Sequence, residues 1–328
     1  MNVRIDPFHA PWRWSEALPW LAVVAAWFIW PDYLPLGTQV LIGALFALSL
    51  DLALGYAGIA TLGHAAYLGL GAYVAGWLGK YGWSEPISGA LLAAAAAGLL
   101  GLATGRVVSA GTHLSGLMLT LALGMLLFEA ANKASGLTGG IDGLQGVQIA
   151  PVFGVFEFDF AARTGYVYAA AWLLIGLLVV RRIVGSPLGL TLNAVRLNPK
   201  RTAALGVHNG RALLLSYTVS TALAGLAGAL LTQTTQYVAI DVLSFHRSAD
   251  VLTMLIIGGA GYLYGGIVGA AAFIVLQDVL SGMNPVYWQF WLGLALVLVV
   301  LFMHQGALGA LAAARDRLGR RLRRSGDA

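Results

Sequence analysis

The segment Ala212–Thr232 runs for 21 residues without a charged side chain, and similar stretches recur along the chain. A helix needs roughly 20 mostly apolar residues to cross a bilayer. Within the hydrocarbon region its backbone must also find its own hydrogen bonds. Together these constraints point to one fold class, an all-α polytopic integral membrane protein. Composition agrees: 59% of the 328 residues are hydrophobic and 10% are charged, against about 25% charged in soluble domains. The 43 glycines suit closely packed membrane helices. Cysteine is absent, which excludes disulfides and thiolate metal sites.

Further apolar stretches lie at Leu18–Leu34, Leu36–Leu54, Ala65–Gly79, Ile87–Val107, Leu114–Ala131, Thr164–Val184 and Trp288–Met303. Leu18–Trp30 ends in Pro31-Asp32 without a small-x-small cleavage pattern, so it reads as the first membrane helix and not as a cleavable signal. Val251–Leu280 is interrupted by Gly258, Gly259, Gly261, Gly265 and Gly266. It reads either as a re-entrant hairpin or as two tilted, broken helices. About 8–10 transmembrane helices are expected in a single transmembrane domain over 1–328.

Charge sets the orientation, because Lys and Arg accumulate in short cytoplasmic loops. Arg181, Arg182, Arg196, Lys200, Arg201 and Arg211 surround Ser186–Gly210, with no acidic residue among them. With that segment inside, Arg4, Arg13, Arg106 and the basic tail within 312–328 also fall inside, so 15 of the 19 basic residues are cytoplasmic, as are both termini. Lys80, Lys133, Arg163 and Arg247 remain outside with Asp142, Glu157, Asp159 and Asp241. This arrangement requires Val251–Leu280 to enter and leave on one side. The long external segment Lys133–Arg163 alternates apolar and polar residues at Val155–Phe160, which suggests a short extended piece. The basic tail is expected at anionic lipid headgroups, and the positive charge is one of topology, with no nucleic-acid partner.

Catalytic patterns are missing. The one Gly-Lys pair, Gly79-Lys80, is followed by Tyr81, so no phosphate-binding G-x-x-x-x-G-K-[ST] loop exists. The six histidines are scattered without metal-ligand spacing, and there is no G-x-S-x-G elbow. No metal, cofactor or catalytic residue is therefore expected on this chain.

Two stretches stand out. In Asp51–Gly71, Gly55, Gly58 and Gly63 interrupt an apolar pattern. Irregular backbone at membrane depth needs protein or a water-filled cavity beside it, and broken helices in the two halves of a transporter often mark the solute path. Gly258, Gly259 and Gly261 form a second break in the other half. Asp51 either has a partner in the membrane or lies at the inner helix end in reach of water. Glu129 is placed to pair with Lys133 at i+4. The second stretch is Ser186–Gly210. Ser186-Pro187 and Asn198-Pro199 each read as an N-cap followed by Pro at the first helical position, and Gly206 suits the position just past a helix end. Two short helices result, carrying Leu188, Leu192, Val195, Ala203, Ala204 and Leu205. Their apolar face needs cover, from the membrane surface or from a soluble partner.

These residues carry a resemblance to the LivM-type permease subunits of branched-chain amino acid ABC importers, over roughly Leu45–Gly306. Gly55-Tyr56-Ala57-Gly58 and Leu62-Gly63-His64-Ala65 resemble the family's G-Y-A-G…S-L-G-H-A segment, with Thr61 for Ser. Thr120-Leu121-Ala122, Glu129, Thr138-Gly139-Gly140 and Asp142-Gly143 resemble its T-L-A…E…T-G-G-x-D-G run. Ser186-Pro187, Gly189, Ala194, Arg196, Asn198 and Leu205-Gly206 are similar to the loop that meets the ATPase. Leu223–Ala229 and Gly258-Gly259-Ala260-Gly261 complete the pattern. The chain departs from the family at Asp51, where Asn is common, at Leu190 in place of an arginine, and at Pro199-Lys200 in place of an acid.

The resemblance implies a permease subunit in a bacterial inner membrane. Its partners would be two cytoplasmic ABC ATPases, a homologous second permease subunit and a periplasmic solute-binding protein, with ATP and Mg held by the ATPases. It makes Ser186, Gly189, Ala194, Arg196, Asn198 and Ala203–Gly206 the coupling loop. The translocation path would include Asp51, Gly55, Tyr56, Gly58, Gly63, His64, Glu129, Gly258, Gly259 and Gly261. Branched-chain or other hydrophobic amino acids are the expected solute, with urea, short amides or aromatic acids as alternatives. A self-sufficient secondary transporter would instead need an ion-coupling site among Asp51, Glu129, Asp250 and Asp278.

Overall fold

The computed structural model describes residues 17–110, 113–159 and 161–302, with Gly306 and Gly309; Arg4, Arg13, Phe160 and the basic tail 312–328 lie outside the described residues. The helices are α1 (Ala17–Ile29), α2 (Leu34–Leu50), α3 (Ala65–Lys80), α4 (Pro86–Ala110), α5 (His113–Lys133), α6 (Ser135–Thr138), α7 (Arg163–Val184), α8 (Pro187–Leu197), α9 (Pro199–Ala204), α10 (Asn209–Thr235), α11 (Phe245–Gly258), α12 (Gly265–Met283) and α13 (Trp288–Phe302). A π-helical turn over Asp51–Tyr56 prolongs α2. Six helical segments among the described residues are long and apolar enough to cross a membrane: Pro31–Tyr56, Pro86–Ser109, Leu114–Lys133, Arg163–Val184, Asn209–Thr235 and Gly265–Met283. The apolar helices α1, α3, α11 and α13 are shorter.

Two of the six form the centre. About 72% of the Pro31–Tyr56 span and 67% of the α10 span are buried within the protein, against 17–33% of the other four. The two run antiparallel. Ser220 Oγ donates to the Ser49 carbonyl at 2.6 Å, and Ser216 Oγ donates to the Leu52 carbonyl at 3.3 Å.

Around this pair the packing repeats itself with inverted direction. In the first unit α2 is followed by α3, α4 and α5; in the second α10 is followed by α11, α12 and α13. The central helix of each unit lies on the two following helices of the other: α10 on α3 and α4, α2 on α11 and α12. The third helix of α3–α4–α5 meets its neighbours as that of α11–α12–α13 does. Because α2 and α10 are antiparallel, the two units have opposite topology, the inverted repeat common in transporter folds.

The repeat also reassigns a correspondence expected from the glycines. The counterpart of the irregular segment 57–64 is 236–244, between α10 and α11, and not Gly258–Gly261. Both central helices end in a left-handed residue, Gly58 at φ +74° and Gln236 at φ +54°. The segment after α10 turns back into the bundle, where Leu243 packs over Gly69. Ala65 N–H donates to Ser248 Oγ at 3.0 Å, which ties the start of α3 to the first turn of α11.

Elsewhere the helices follow the apolar stretches closely. The piece expected to be extended, Val155–Phe160, begins instead in a tight turn over Phe153–Val155, closed by one bridge between Val152 and Phe156, with Phe153 and Gly154 at positive φ; Phe160 lies outside the described residues. Glycine at this turn supplies a conformation that an extended strand lacks.

Glycine matters most where α10 crosses α3 and α4. A Cβ on Gly228 would collide with the Leu68 carbonyl, and one on Gly225 with Ala97 Cβ. Gly282, near the end of α12, has nothing within 4 Å of such a Cβ. Gly228→Leu is therefore expected to cost on the order of 1–3 kcal/mol through overpacking, with Gly282→Leu near neutral. Thermal unfolding of the two detergent-solubilised variants checks this; equal midpoints would contradict the packing described.

Candidate functional site

The site starts from an acidic residue in an apolar helix. Asp51 is fully buried, with 0% of its surface exposed. Its Oδ1 accepts the Gly261 N–H at 2.7 Å from the connection between α11 and α12. Water at the helix end, one of the two environments expected for it, is therefore excluded; the partner is a backbone amide 210 residues away. Gly55 makes the contact achievable. A Cβ there would overlap the Asp51 carboxylate and lie 2.6 Å from Gly261 N. The helix widens through this turn, with Ala57 N–H donating to Leu52 O at 3.3 Å. The left-handed Gly58 then lets Ile59 N–H reach Ala53 O at 2.8 Å. Such π-turns occur often at functional sites.

The third contributor comes from the α8–α9 loop. A Cβ on Gly58 would lie 2.9 Å from Arg196 Cγ and 3.4 Å from Arg196 Cβ. One on Gly261 would lie 3.3 Å from Arg196 Nη1. The guanidinium also acts electrostatically on Asp51. Arg196 thus lies across both irregular connections, the one after α2 and the one between α11 and α12. Tyr56 is buried beside them. Gly258 packs its Cα face on the Gly265 carbonyl, and Gly259 adopts φ +104°.

The loop has the two expected short helices, with one correction at its start. Ser186 stands at the N-cap position of α8 with extended backbone, but its side chain does not cap; its Oγ donates to the Ile183 carbonyl at 2.6 Å, a group that also accepts the Ser186 N–H. Asn198 does cap α9, accepting Arg201 N–H at 3.0 Å, and Gly206 follows at φ +84°. Gly189 is pressed against the Val184 carbonyl, so the loop is held tightly to α7. The apolar face of α8 finds its cover within the chain: Leu192 and Val195 are buried. What stays exposed is a different surface, formed by Ala194, Ala203, Ala204, Leu197 and Leu205, the two leucines at 82% and 77% exposure.

Other expected residues separate from this cluster. His64 is fully buried; its Nε2 is 2.9 Å from Ser49 Oγ, and its ring stacks on Phe46 at 5.5 Å. Gly63 packs on the Thr120 carbonyl of α5. Glu129 makes no ion pair with Lys133 and instead lines, with Leu62, Gly63, Leu121 and Phe128, a separate cleft of about 300 Å³. At the end opposite the α8–α9 loop lies a larger cavity of about 440 Å³. Phe46 lines it, and so connects the cavity to His64. Sequence reasoning missed this cavity and the reach of Arg196, because both join residues from distant segments. A usable signal was Ser216 and Ser220 at i, i+4 on an apolar helix, a polar stripe that needed a facing partner.

An all-helical, multi-pass membrane protein with inverted units, interrupted helices and a cavity between them is organised as membrane transporters are. The sequence profile described as branched-chain amino acid transport system / permease component matches residues 34–304, and the chain belongs to that family. It is 29% identical over 319 residues to the high-affinity branched-chain amino acid transport system permease protein LivM of Escherichia coli K12, covering 89% of this chain and 73% of the relative. The LivM of Salmonella typhimurium LT2 is 27% identical over 317 residues, covering 88% and 73%. No solved structure matches the chain.

Asp51→Ala leaves the Gly261 amide buried without an acceptor, which costs about 1–3 kcal/mol. Asp51→Asn retains a carbonyl oxygen there. The alanine variant is expected to unfold at a lower temperature than the asparagine variant; indistinguishable midpoints would show that the Asp51–Gly261 contact does not hold the junction.

Proposed function

We propose that this chain is a membrane-spanning half of an ABC importer for branched-chain or other hydrophobic amino acids. The observation that carries the reading is the α8–α9 loop. It presents exposed leucines and the basic Lys200 and Arg201 outward, and through Arg196 it touches both irregular connections of the bundle. A partner that moved this loop would therefore act directly on the helix junction. Small interface displacements are amplified in this way when the packed element has two discrete arrangements.

The loop end is the cytoplasmic end. Arg106, Arg181, Arg182, Arg196, Lys200, Arg201 and Arg211 gather there, while Glu85, Asp142, Glu157, Asp159 and Asp241 belong to the opposite end. That distribution follows the positive-inside rule and supports cytoplasmic termini in a bacterial inner membrane. ATP and Mg belong to two cytoplasmic ATPase subunits docked on this loop and its equivalent in a homologous second permease subunit. A periplasmic binding protein delivers the solute to the opposite face. The chain itself performs no chemistry: it exposes the solute first to one side and then to the other as the ATPases close and open. The names of the two relatives support the amino acid as solute.

The exposed leucines supply the test. Leu197→Asp combined with Leu205→Asp is expected to abolish co-purification of the ATPase while leaving the thermal midpoint of the membrane part unchanged, since neither side chain is packed in the bundle. Undiminished ATPase association would sink the coupling role of the loop.

A further inference from the structure

We infer that the 440 Å³ cavity is a binding site for a zwitterionic amino acid within this chain, facing the side opposite the α8–α9 loop; this rests on the transport reading above. The cavity falls within the roughly 300–1,000 Å³ of small-molecule sites and lies where the two inverted units meet. Its wall divides by chemistry. Ile42, Phe46, Val251, Met254, Phe273 and Ile274 supply an apolar side. Gln39, Arg247, Asp250, Gln277 and Asp278 supply the polar side.

On the polar side Gln39, Arg247 and Asp278 are exposed, and Asp250 and Gln277 are half-buried. Arg247 Nε donates to Asp241 Oδ2 at 3.1 Å, an exposed ion pair. Among the described residues, no hydrogen bond of the Gln39, Asp250, Gln277 or Asp278 side chain is found. Ionisable groups on apolar helices are costly and by default mark solute or ion sites. Asp250 and Asp278 suit an ammonium group. Arg247, Gln39 and Gln277 offer N–H donors to a carboxylate. The apolar wall then receives a branched side chain.

The inverted repeat provides an independent argument. Arg247 is the third residue of α11 and Tyr67 the third of α3; counted back from the left-handed Gly58 and Gln236 that end the central helices, Gln39 of the cavity corresponds to Tyr217. At the loop end these counterparts fill the equivalent space. Tyr67 Oη lies 2.9 Å from Tyr217 Oη and 2.8 Å from Thr104 Oγ1, and both tyrosines are fully buried. One pseudo-equivalent position is open and polar, the other plugged. That asymmetry is what a site accessible from a single side requires.

The probe is radiolabelled leucine, titrated onto the full-length chain in phosphatidylcholine nanodiscs without any binding protein. Saturable binding is expected, weakened about tenfold or more by Asp250→Asn and by Gln277→Ala, each losing a polar contact to the ligand. Neither 4-methylvalerate nor isoamylamine, each lacking one charged group, should compete. Thermal midpoints confirm that each variant is folded, and either variant alone decides the question. Absent leucine binding, unchanged affinity in the folded variants, or competition by phosphoethanolamine but not by unlabelled leucine would overturn the assignment; the last outcome would make the cavity a lipid-headgroup site. ATP-driven leucine uptake by the assembled complex is measured separately. Its absence would sink the transport reading, whereas uptake without binding in the cavity would sink this inference alone.

Discussion

A single hydrogen bond joins the two inverted units at their most irregular point. The Asp51 carboxylate, buried at the end of the first central helix, accepts an amide proton from the connection that follows α11. Everything nearby is shaped to permit it: Gly55 clears the approach, Gly58 turns the chain away, and Arg196 closes over both. The arrangement is also incompletely satisfied. Asp51 Oδ2 is buried and has no hydrogen-bond partner, with the Arg196 charge as its compensation. Burying a carboxylate is unfavourable unless it is paired and hydrogen-bonded. A junction of this kind is held, but not strongly, and a few kcal/mol applied through Arg196 would be enough to shift it.

A related contact stands at the other end. Gln233, near the end of α10, donates through Nε2 to the Pro86 carbonyl at 2.7 Å, and its Oε1 is likewise buried without a partner. In both units a buried polar side chain late in the central helix grips the connection between the second and third helices of the other unit. The two contacts differ in chemistry. The loop end uses a carboxylate with an arginine beside it, whereas the opposite end uses a neutral amide. The inverted repeat therefore supplies a common frame, and the substitutions within it bring the α8–α9 loop into contact with one end only.

Much of the fold was legible in the sequence. Spans such as Ala212–Thr232 and Ile87–Val107 locate α10 and α4 because hydropathy over 20 residues is a strong local signal, and Asn198-Pro199 marks the start of α9 through its own capping chemistry. The site was less legible. Asp51 offered no hint of its partner, since a backbone amide carries no residue-type signature and lies far along the chain. The amphipathic pattern of α8 calls for cover from the membrane surface or a soluble partner, yet Leu192 and Val195 are covered by the protein itself. Ser186 stands where a cap is expected, but its hydroxyl turns back to the Ile183 carbonyl of the preceding helix. The cavity arises from single residues on α2, α11 and α12, which no linear pattern joins.

On the proposed coupling, motion of the α8–α9 loop opens the junction at Asp51. The chain contains no cysteine, and Leu197 of the loop and Ala260 of the α11–α12 connection are both exposed. The most direct measurement is the distance between spin labels on Leu197→Cys and Ala260→Cys in the assembled complex, with and without ATP, with Arg196, Gly58 and Asp51 intact. A distance that changes when ATP binds is the result expected of a junction driven by the loop. The same distance in the two states would contradict it.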